Sequence, residues 1–288
     1  MMSGKLFLKV ILCFGFLFLY VPIFLLVVYS FNASQLVTVW AGFSTHWYDV
    51  LFQDADVGGA LRLSLFVGML SATAATVIGT LAGYVLSRYR LFSGRSLFFG
   101  LISAPLFMPE IIMGIALLLM YVSLQQIIGF PSERGTLTLF LSHTTFCSAF
   151  VAVIVQGRMA GMDQSVEEAA MDLGARPVVV FFLVTVPRIA PAMVAGWLLA
   201  FSLSLDNVVI SQFVSGPTTT TLPMLVFSRT RLGITPETNA LASVVVLIVV
   251  VLAGCFMLWQ WLTAPKFHDH GVGARIVNGV VVGNRQSQ

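Results

Sequence analysis

Residues 165–187, SVEEAAMDLGARPVVVFFLVTVP, form a polar island between two long apolar segments. Ser165 followed by Glu168 predicts a capping box at the start of a helix. Gly174 is typical of the residue just after a helix ends, since glycine readily adopts a left-handed backbone conformation. Pro177 suits the first turn of a second helix, which the proline that closes the stretch is expected to end. The stretch therefore predicts two short helices joined by a tight turn.

The composition around this island excludes a soluble protein. Of the 288 residues, 58% are hydrophobic and only 9% are charged, whereas soluble domains carry about 25% charged residues. Lipid leaves no water to satisfy backbone groups, so a spanning chain has to form helices or a closed barrel, and the apolar runs here are far longer than barrel strands. The sequence therefore predicts an all-α integral membrane protein.

Six membrane spans account for the apolar runs, because each run is close to the roughly 20 residues that cross a bilayer. The second span is rich in small residues, which predicts a place inside a helix bundle. The third contains Pro105 and Pro109, which predict a kink. We expect one transmembrane domain over residues 1–264 and a flexible tail over residues 265–288. The six predicted spans are residues 10–31, 61–87, 96–123, 138–156, 189–214 and 240–262.

The distribution of positive charge predicts the orientation. With both termini in the cytoplasm, four of the 15 lysines and arginines lie outside and the other 11 lie inside. Loops rich in positive charge are retained in the cytoplasm, so this orientation is the expected one. The polar island then belongs to a cytoplasmic loop, residues 157–188, between the fourth and fifth spans. The four outer residues are Arg62, Arg134, Arg229 and Arg231.

Two carboxylates lie within apolar spans, Glu110 in the third and Asp206 in the fifth. An acid at the centre of a span costs about 2.5–3.5 kcal/mol on insertion scales, so each is a candidate functional residue. Both lie about 21–22 Å along their spans at 1.5 Å per residue, and a transported cation needs such partners when it loses water. Two structural roles stay open: either acid can pair with Arg62, and Glu110 can satisfy backbone donors at a kink at Pro109.

The polar island resembles the EAA loop of bacterial ABC importer permeases. The likeness rests on Glu168-Ala169-Ala170, on Gly174 six residues after the glutamate, and on Pro187 thirteen residues after the glycine. The loop also precedes the next-to-last span, as in that family. The resemblance implies that an ATPase subunit grips this loop and that its second short helix is the coupling helix. The residues implied in ATPase coupling are Glu168, Ala169, Ala170, Gly174, Ala175, Val180, Phe181 and Pro187.

Further segments resemble the permeases of putrescine and spermidine ABC importers of Gram-negative bacteria: YSFNAS at 29–34, APLFMPEIIMG at 104–114 and the stretch 199–242. The resemblance implies a type I permease of the bacterial inner membrane that forms a pore with a homologous permease. Two ATPase subunits and a periplasmic polyamine-binding protein are the other implied partners. Asp206, Glu110 and Asn207 are the candidate residues of the substrate path, although Asn207 stands where relatives often carry a second acid.

The sequence predicts that the chain itself binds no cofactor or metal. The sequence has no G-x-x-x-x-G-K-[ST] motif, so ATP and Mg²⁺ are expected on the partner ATPases. Its three cysteines each lie in an apolar run, which indicates neither a disulfide framework nor a metal site. No Ser/His pair or metal cluster is evident within the spans, so we expect no enzymatic activity.

Two other functions stay open at this point. One is the same kind of permease with another small cationic or neutral cargo. The other is a secondary transporter driven by protons through the same carboxylates, against which the EAA-type loop and the lack of inverted repeats count. An anionic cargo is disfavoured because no basic residue lies in the middle of a span.

Overall fold

The computed structural model describes residues 4–36, 39–89, 91–233 and 235–263, and these residues are almost entirely helical. The chain divides into two units, residues 1–243 and 244–288. The first unit contains the elements discussed below, and the second continues the last helix. The helices are α1 (Gly4–Tyr29), α2 (His46–Gln53), α3 (Ala55–Arg88), α4 (Arg95–Phe107), α5 (Glu110–Ile128), α6 (Thr136–Ala160), α7 (Ser165–Asp172), α8 (Pro177–Val180), α9 (Val186–Asp206), α10 (Val209–Val214), α11 (Leu222–Leu232) and α12 (Pro236–Thr263).

Within these ranges, five helical segments are long and apolar enough to cross a membrane. They are α1, α3, α5, α6 and the continuous segment Pro177–Asp206 that joins α8 to α9. Shorter apolar helices cover Arg95–Phe107 and Pro236–Val251. The all-α class is thus confirmed, whereas the count of six spans stays a prediction. The predicted tail lies outside the described residues, and the single domain through residue 264 also stays a prediction.

Helix α3 packs against both α6 and α9, which also contact each other. The small residues of the second predicted span lie in this bundle, as expected, and most of them are buried. At Gly79 the α6 backbone comes so close that an added Cβ would lie 2.8 Å from Ser148 O and 2.9 Å from Ala152 N. At Gly83 the distance to Ala152 O would be 2.7 Å. The two helices therefore touch backbone to backbone, which only small residues allow.

The third predicted span is divided into two helices. Pro105 is accommodated inside α4, but α4 ends at Phe107 and α5 begins at Glu110. Between them Met108 and Pro109 have extended backbone, with ψ of 133° and 136°. A proline has no amide hydrogen to continue the helical ladder and restricts the residue before it to extended conformations. The predicted kink is thus a complete break.

The fifth predicted span, residues 189–214, is also interrupted, and its prediction as one continuous helix is wrong. Helix α9 ends at Asp206, where Asn207 takes an extended ψ of 102°. The Asn207 Oδ1 atom accepts hydrogen bonds from the amides of Ile210 (3.0 Å) and Ser211 (3.4 Å). An asparagine that satisfies free amides in this way starts a new helix, here α10, instead of continuing the old one.

The polar island forms α7, a tight turn and the beginning of a long helix. Gly174 has a φ of 88°, and the Ala175 amide bonds the carbonyl of Ala170 at 3.1 Å. This pattern closes α7 by a left-handed residue just beyond the helix, as predicted. The predicted capping box is wrong, because Ser165 is already helical and its hydroxyl donates to Asp163 Oδ2 at 2.7 Å.

Pro187 does not end the second helix of the island, which is a further correction. The chain stays helical from Pro177 to Asp206 and passes through a π-helical turn over Phe181–Thr185. A proline normally clashes with the carbonyl four residues before it. The wider turn changes that register, since the Val186 amide bonds the carbonyl of Phe181, five residues back. The second short helix of the island and the first part of the fifth predicted span are therefore parts of one helix.

Candidate functional site

A buried ion pair holds the polar island against α3. Arg88 donates from Nε to Glu167 Oε2 at 2.7 Å and from Nη2 to Glu167 Oε1 at 2.8 Å. The hydroxyl of Thr185, in the π-helical turn, donates to the same Oε1 at 2.9 Å. The two charged side chains are only 9% and 7% exposed. One carboxylate thus joins three segments: the end of α3, α7 and the π-helical turn.

Sequence reasoning missed Glu167 because the next residue, Glu168, matched the EAA pattern. In α7 the two acids point in different directions, since Glu167 is buried and Glu168 is exposed. The signal that was available is the pair of adjacent acids, Glu167 and Glu168, together with Arg88 at the inner end of the second predicted span. Two consecutive helical residues lie about 100° apart, so only one of them can face the bundle.

The other predicted coupling residues differ in exposure. Val180 is buried, and Phe181 is half-buried with its ring edge-to-face with Tyr84 at 4.8 Å. Ala170 and Ala175 are half-buried, whereas Glu168, Ala169, Gly174 and Pro187 are exposed. Large apolar side chains extend this exposed surface, and the most accessible are Leu173 (90%), Leu183 (73%), Val178 (67%) and Phe182 (61%).

The two intramembrane acids lie at the helix breaks. Glu110 is the first residue of α5 and Asp206 the last of α9, and both are exposed. Glu110 thus begins the helix that packs on α10, and Asp206 ends the helix that precedes α10. Within the described ranges neither forms a salt bridge with Arg62, which excludes the simplest structural role considered above. Neither carboxylate forms a salt bridge in the described residues.

The packing of α10 on α5 brings the two breaks together. These two helices contact each other. At Gly114, one turn after Glu110, an added Cβ would meet the Phe213 ring, with Cε2 3.2 Å away. The glycine thus lets the Phe213 ring pack directly against α5, and a larger residue would require the ring to move. Asn207 is buried beside this region, so its side chain serves α10 and does not face open space.

A buried histidine crosses the break in the fifth span. His143 of α6 lies with Nδ1 2.6 Å from Ser204 Oγ in α9 and Nε2 2.9 Å from Ser211 Oγ in α10. The Ser211 hydroxyl donates to the carbonyl of Asn207 at 2.7 Å. Ser211 Oγ must then accept from Nε2–H, and Ser204 must donate to Nδ1, because a neutral imidazole has one donor and one acceptor. His143 thereby fixes the two helices that flank Asp206.

Replacing His143 with leucine is expected to destabilise the bundle. The substitution removes both hydrogen bonds and leaves Ser204 without its buried acceptor, at a cost of about 1–3 kcal/mol. Thermal unfolding of the purified protein in detergent measures the change. Thr145→Val is the matched control, because Thr145 is exposed on the same helix and its hydroxyl bonds only Leu141 O of its own helix. Equal unfolding temperatures for the two variants would contradict the role of His143.

A second ion-pair cluster ties α11 to two other helices. Arg229 contacts Asp54, which caps α3, at 2.6 Å and Glu237, in the first turn of α12, at 2.8 Å. Partial burial opposes ionisation of Asp54, but the hydrogen bonds from Arg229 and from the amides of Asp56 and Val57 prevail and lower its pKa. The carboxylate therefore stays charged at neutral pH and holds α11 beside the start of α3.

No group of three potential metal ligands occurs in the part of the chain that the structure describes.

The features above are those of a membrane-embedded transport subunit. They are a bundle of apolar helices, a polar loop held to the bundle by a buried ion pair, and carboxylates at two helix breaks. The chain belongs to the family of binding-protein-dependent transport system inner membrane components, whose profile matches residues 75–269. It is therefore a non-catalytic permease component of the inner membrane, and this family assignment counts against the proton-driven secondary transporter.

Two relatives of known name belong to polyamine importers. The chain is 53% identical over 257 residues to the putrescine transport system permease protein PotI of Escherichia coli K12, covering 89% of this chain and 91% of PotI. It is 40% identical over 235 residues to the spermidine/putrescine transport system permease protein PotC of the same strain, covering 82% and 86%. These matches confirm the resemblance to polyamine importer permeases.

A solved structure confirms the fold. A chain of the bacterial alginate ABC transporter, crystallised in complex with an alginate pentasaccharide-bound periplasmic protein, superposes with a TM-score of 0.66 at 16% identity. The match covers 86% of this chain and 91% of that one. The architecture is thus that of a type I ABC permease.

Proposed function

We propose that this chain is a pore-forming permease subunit of an ATP-driven importer of putrescine or a closely related polyamine. The observation that carries the cargo assignment is the pair of carboxylates, Glu110 and Asp206, each at a helix break beside the packed helices α5 and α10 and without a salt-bridge partner in the described residues. A protonated diamine has two ammonium groups that need partners when they leave water. The 53% identity to PotI supports the same cargo.

The helix ends favour a cation at one of these acids. Asp206 closes α9, and the C-terminus of a helix carries a partial negative charge that attracts cations. Glu110 opens α5, where the positive end of the helix stabilises its carboxylate. Asp206 is therefore the stronger cation site and Glu110 the accessory one. Asn207 contributes indirectly, because its side chain starts α10 and so sets where α9 ends.

The polar loop is the proposed docking surface for a partner ATPase. Its exposed residues combine a carboxylate, Glu168, with the apolar side chains Leu173, Val178 and Phe182. An apolar surface beside a rigid turn suits binding into a groove of another protein. ATP and Mg²⁺ belong to two such ATPase subunits in this proposal. Val180 supports the surface from below, since it is buried.

The remaining assembly follows from the same proposal. A homologous permease completes the pore, and a periplasmic binding protein delivers the polyamine to the outer side. Both termini and the loop 157–188 are cytoplasmic, which keeps most lysines and arginines inside. ATP binding moves the docked loops, the pore turns outward, and hydrolysis returns it.

Uptake of labelled putrescine tests the function. A strain that lacks every other polyamine importer is compared with and without the gene for this chain, with its partner genes intact. We expect uptake only with the chain present, and weak competition by excess spermidine. Uptake that does not depend on the chain would overturn the putrescine assignment. Strong uptake of a different small cation in the same strains would favour the alternative cargo.

Replacing Glu168 with lysine is expected to weaken capture of the ATPase about tenfold. The substitution reverses an exposed charge on the docking surface, where a lost charged contact costs about 1.5–3 kcal/mol. Co-purification of the ATPase with the tagged membrane complex measures the effect, and the amount of inserted permease is measured beside it. Glu133→Lys reverses an exposed charge in the loop between α5 and α6 and serves as the control. Normal capture in the Glu168 variant would contradict this docking surface.

A further inference from the structure

The buried pair of Arg88 and Glu167 lies outside the docking surface and outside the substrate path. Both carboxylate oxygens of Glu167 accept hydrogen bonds from Arg88, and one of them also accepts from the Thr185 hydroxyl, at distances of 2.7–2.9 Å. Thr185 is fully buried. Removing such a pair from water is costly, and its attraction commonly does no more than offset that cost. General stabilisation is therefore a weak explanation for its presence.

The pair connects elements with different tasks. Glu167 belongs to α7, which carries the proposed docking residues, and Arg88 ends α3, the helix at the centre of the bundle. Thr185 is the last residue of the π-helical turn, through which the docking segment continues into α9. Turns of this kind are rare and are frequently found at functional sites. Tyr84 of α3 also contacts this turn through the Phe181 ring at 4.8 Å.

A directional contact is what transmits displacement between such elements. Apolar contacts slide at little cost, whereas a bidentate arginine–carboxylate pair fixes both distance and angle. Of the contacts between α7 and α3 in the described residues, this pair is the one with that geometry. The other connections of α7 are its contacts with α8 and the π-helical turn and the two loops Gly161–Gln164 and Leu173–Arg176.

We propose that Arg88, Glu167 and Thr185 form a positioning clamp that makes α7, the end of α3 and the π-helical turn move together, so that displacement of the docking loop reaches the transmembrane helices. The clamp rests on the proposed function, since it presumes an ATPase on the loop. The three residues contact neither nucleotide nor polyamine in this proposal. They act by coupling two sites through one shared element.

If the clamp exists, variants that break it should still assemble into the transporter but should import less polyamine for each ATP hydrolysed. Glu167→Gln keeps the side-chain shape but removes the charge, and Thr185→Val removes one hydrogen bond. Each variant is reconstituted in the complete transporter in proteoliposomes, and putrescine import is divided by ATP hydrolysed. We expect this ratio to fall about tenfold in Glu167→Gln and less in Thr185→Val. Import and hydrolysis that fall in the same proportion would overturn the clamp, because a purely structural residue lowers the amount of active complex.

Two controls sharpen this test. Asp172→Asn removes an exposed carboxylate from the same helix and leaves the clamp intact, so its ratio should match the wild-type ratio. The double variant Arg88→Glu with Glu167→Arg restores opposite charges and is expected to recover part of the ratio lost by Glu167→Gln. A double variant no better than Arg88→Glu alone would contradict direct pairing.

A distance measurement separates failure of the clamp from failure of the cargo assignment. Spin labels at Asp172 on α7 and Val77 on α3, in a chain without its native cysteines, report whether these helices move as one. We expect one narrow distance in the nucleotide-free and ATP-bound complex, and a broadened or shifted distance with ATP in Glu167→Gln. Identical distributions in both proteins would overturn the clamp, whatever the transporter carries.

Discussion

Asp206→Asn lowers the rate of putrescine import at saturating binding protein by an expected factor of about 10–100. The variant keeps the size of the side chain but removes the charge that faces the ammonium group, and a hydrogen bond to a charged group contributes about 1.5–3 kcal/mol. ATP-dependent uptake into proteoliposomes measures the effect, with assembly of the complex measured in parallel. We expect assembly to be unchanged because the side chain is exposed.

The controls for this prediction use other acids of the chain. Asp49→Asn removes an exposed carboxylate in α2 and is expected to leave import unchanged. Asp206→Glu restores the charge and should recover much of the rate. Glu110→Gln should give a smaller loss than Asp206→Asn, since Glu110 opens a helix and Asp206 closes one. Wild-type uptake kinetics in Asp206→Asn would show that the carboxylate is structural.

Gly79→Ala is expected to lower the free energy of unfolding by about 1–3 kcal/mol or more, although only one methyl group is added. The new Cβ would lie 2.7 Å from Val151 Cβ, 2.8 Å from Ser148 O and 2.9 Å from Ala152 N. Two of these neighbours are backbone atoms that no change of rotamer can move. Helices α3 and α6 must therefore separate, and their interface is the largest in the bundle.

Thermal unfolding in detergent and the yield of monodisperse protein measure this effect. Gly58→Ala is the matched control because it lies in the same helix with nothing within 4 Å of an added Cβ. It should unfold at the wild-type temperature or above it. A Gly79 variant as stable as the Gly58 variant would mean that the helices are less closely packed than the structure indicates.

Much of the fold follows from the sequence because lipid imposes simple demands. The apolar runs predicted the helices, and the small residues of the second span predicted its place in the bundle. The break at Pro109 was visible in part, since proline is a strong local signal. The break at Asn207 was not, because an asparagine in an apolar run gives no comparable signal. It depends on a side chain that bonds two amides only after the chain has turned.

In the candidate site, too, features set by neighbouring residues could be predicted, whereas features set by contacts between distant residues could not. Gly174 was predictable because its backbone conformation is set locally. The role of Glu167 was not, since its partners Arg88 and Thr185 are 79 and 18 residues away in the chain. Pro187 was misassigned for a related reason: the π-helical turn before it relieves the clash on which the prediction depended.

The two helix breaks also determine where water enters the bilayer. Non-helical backbone at membrane depth is tolerated only where protein covers it or where it borders an aqueous cavity. The breaks at Met108–Pro109 and Asn207–Val208 leave exposed carboxylates beside them, and ionised carboxylates need hydration. We therefore expect water to reach the side of this subunit that carries the two carboxylates.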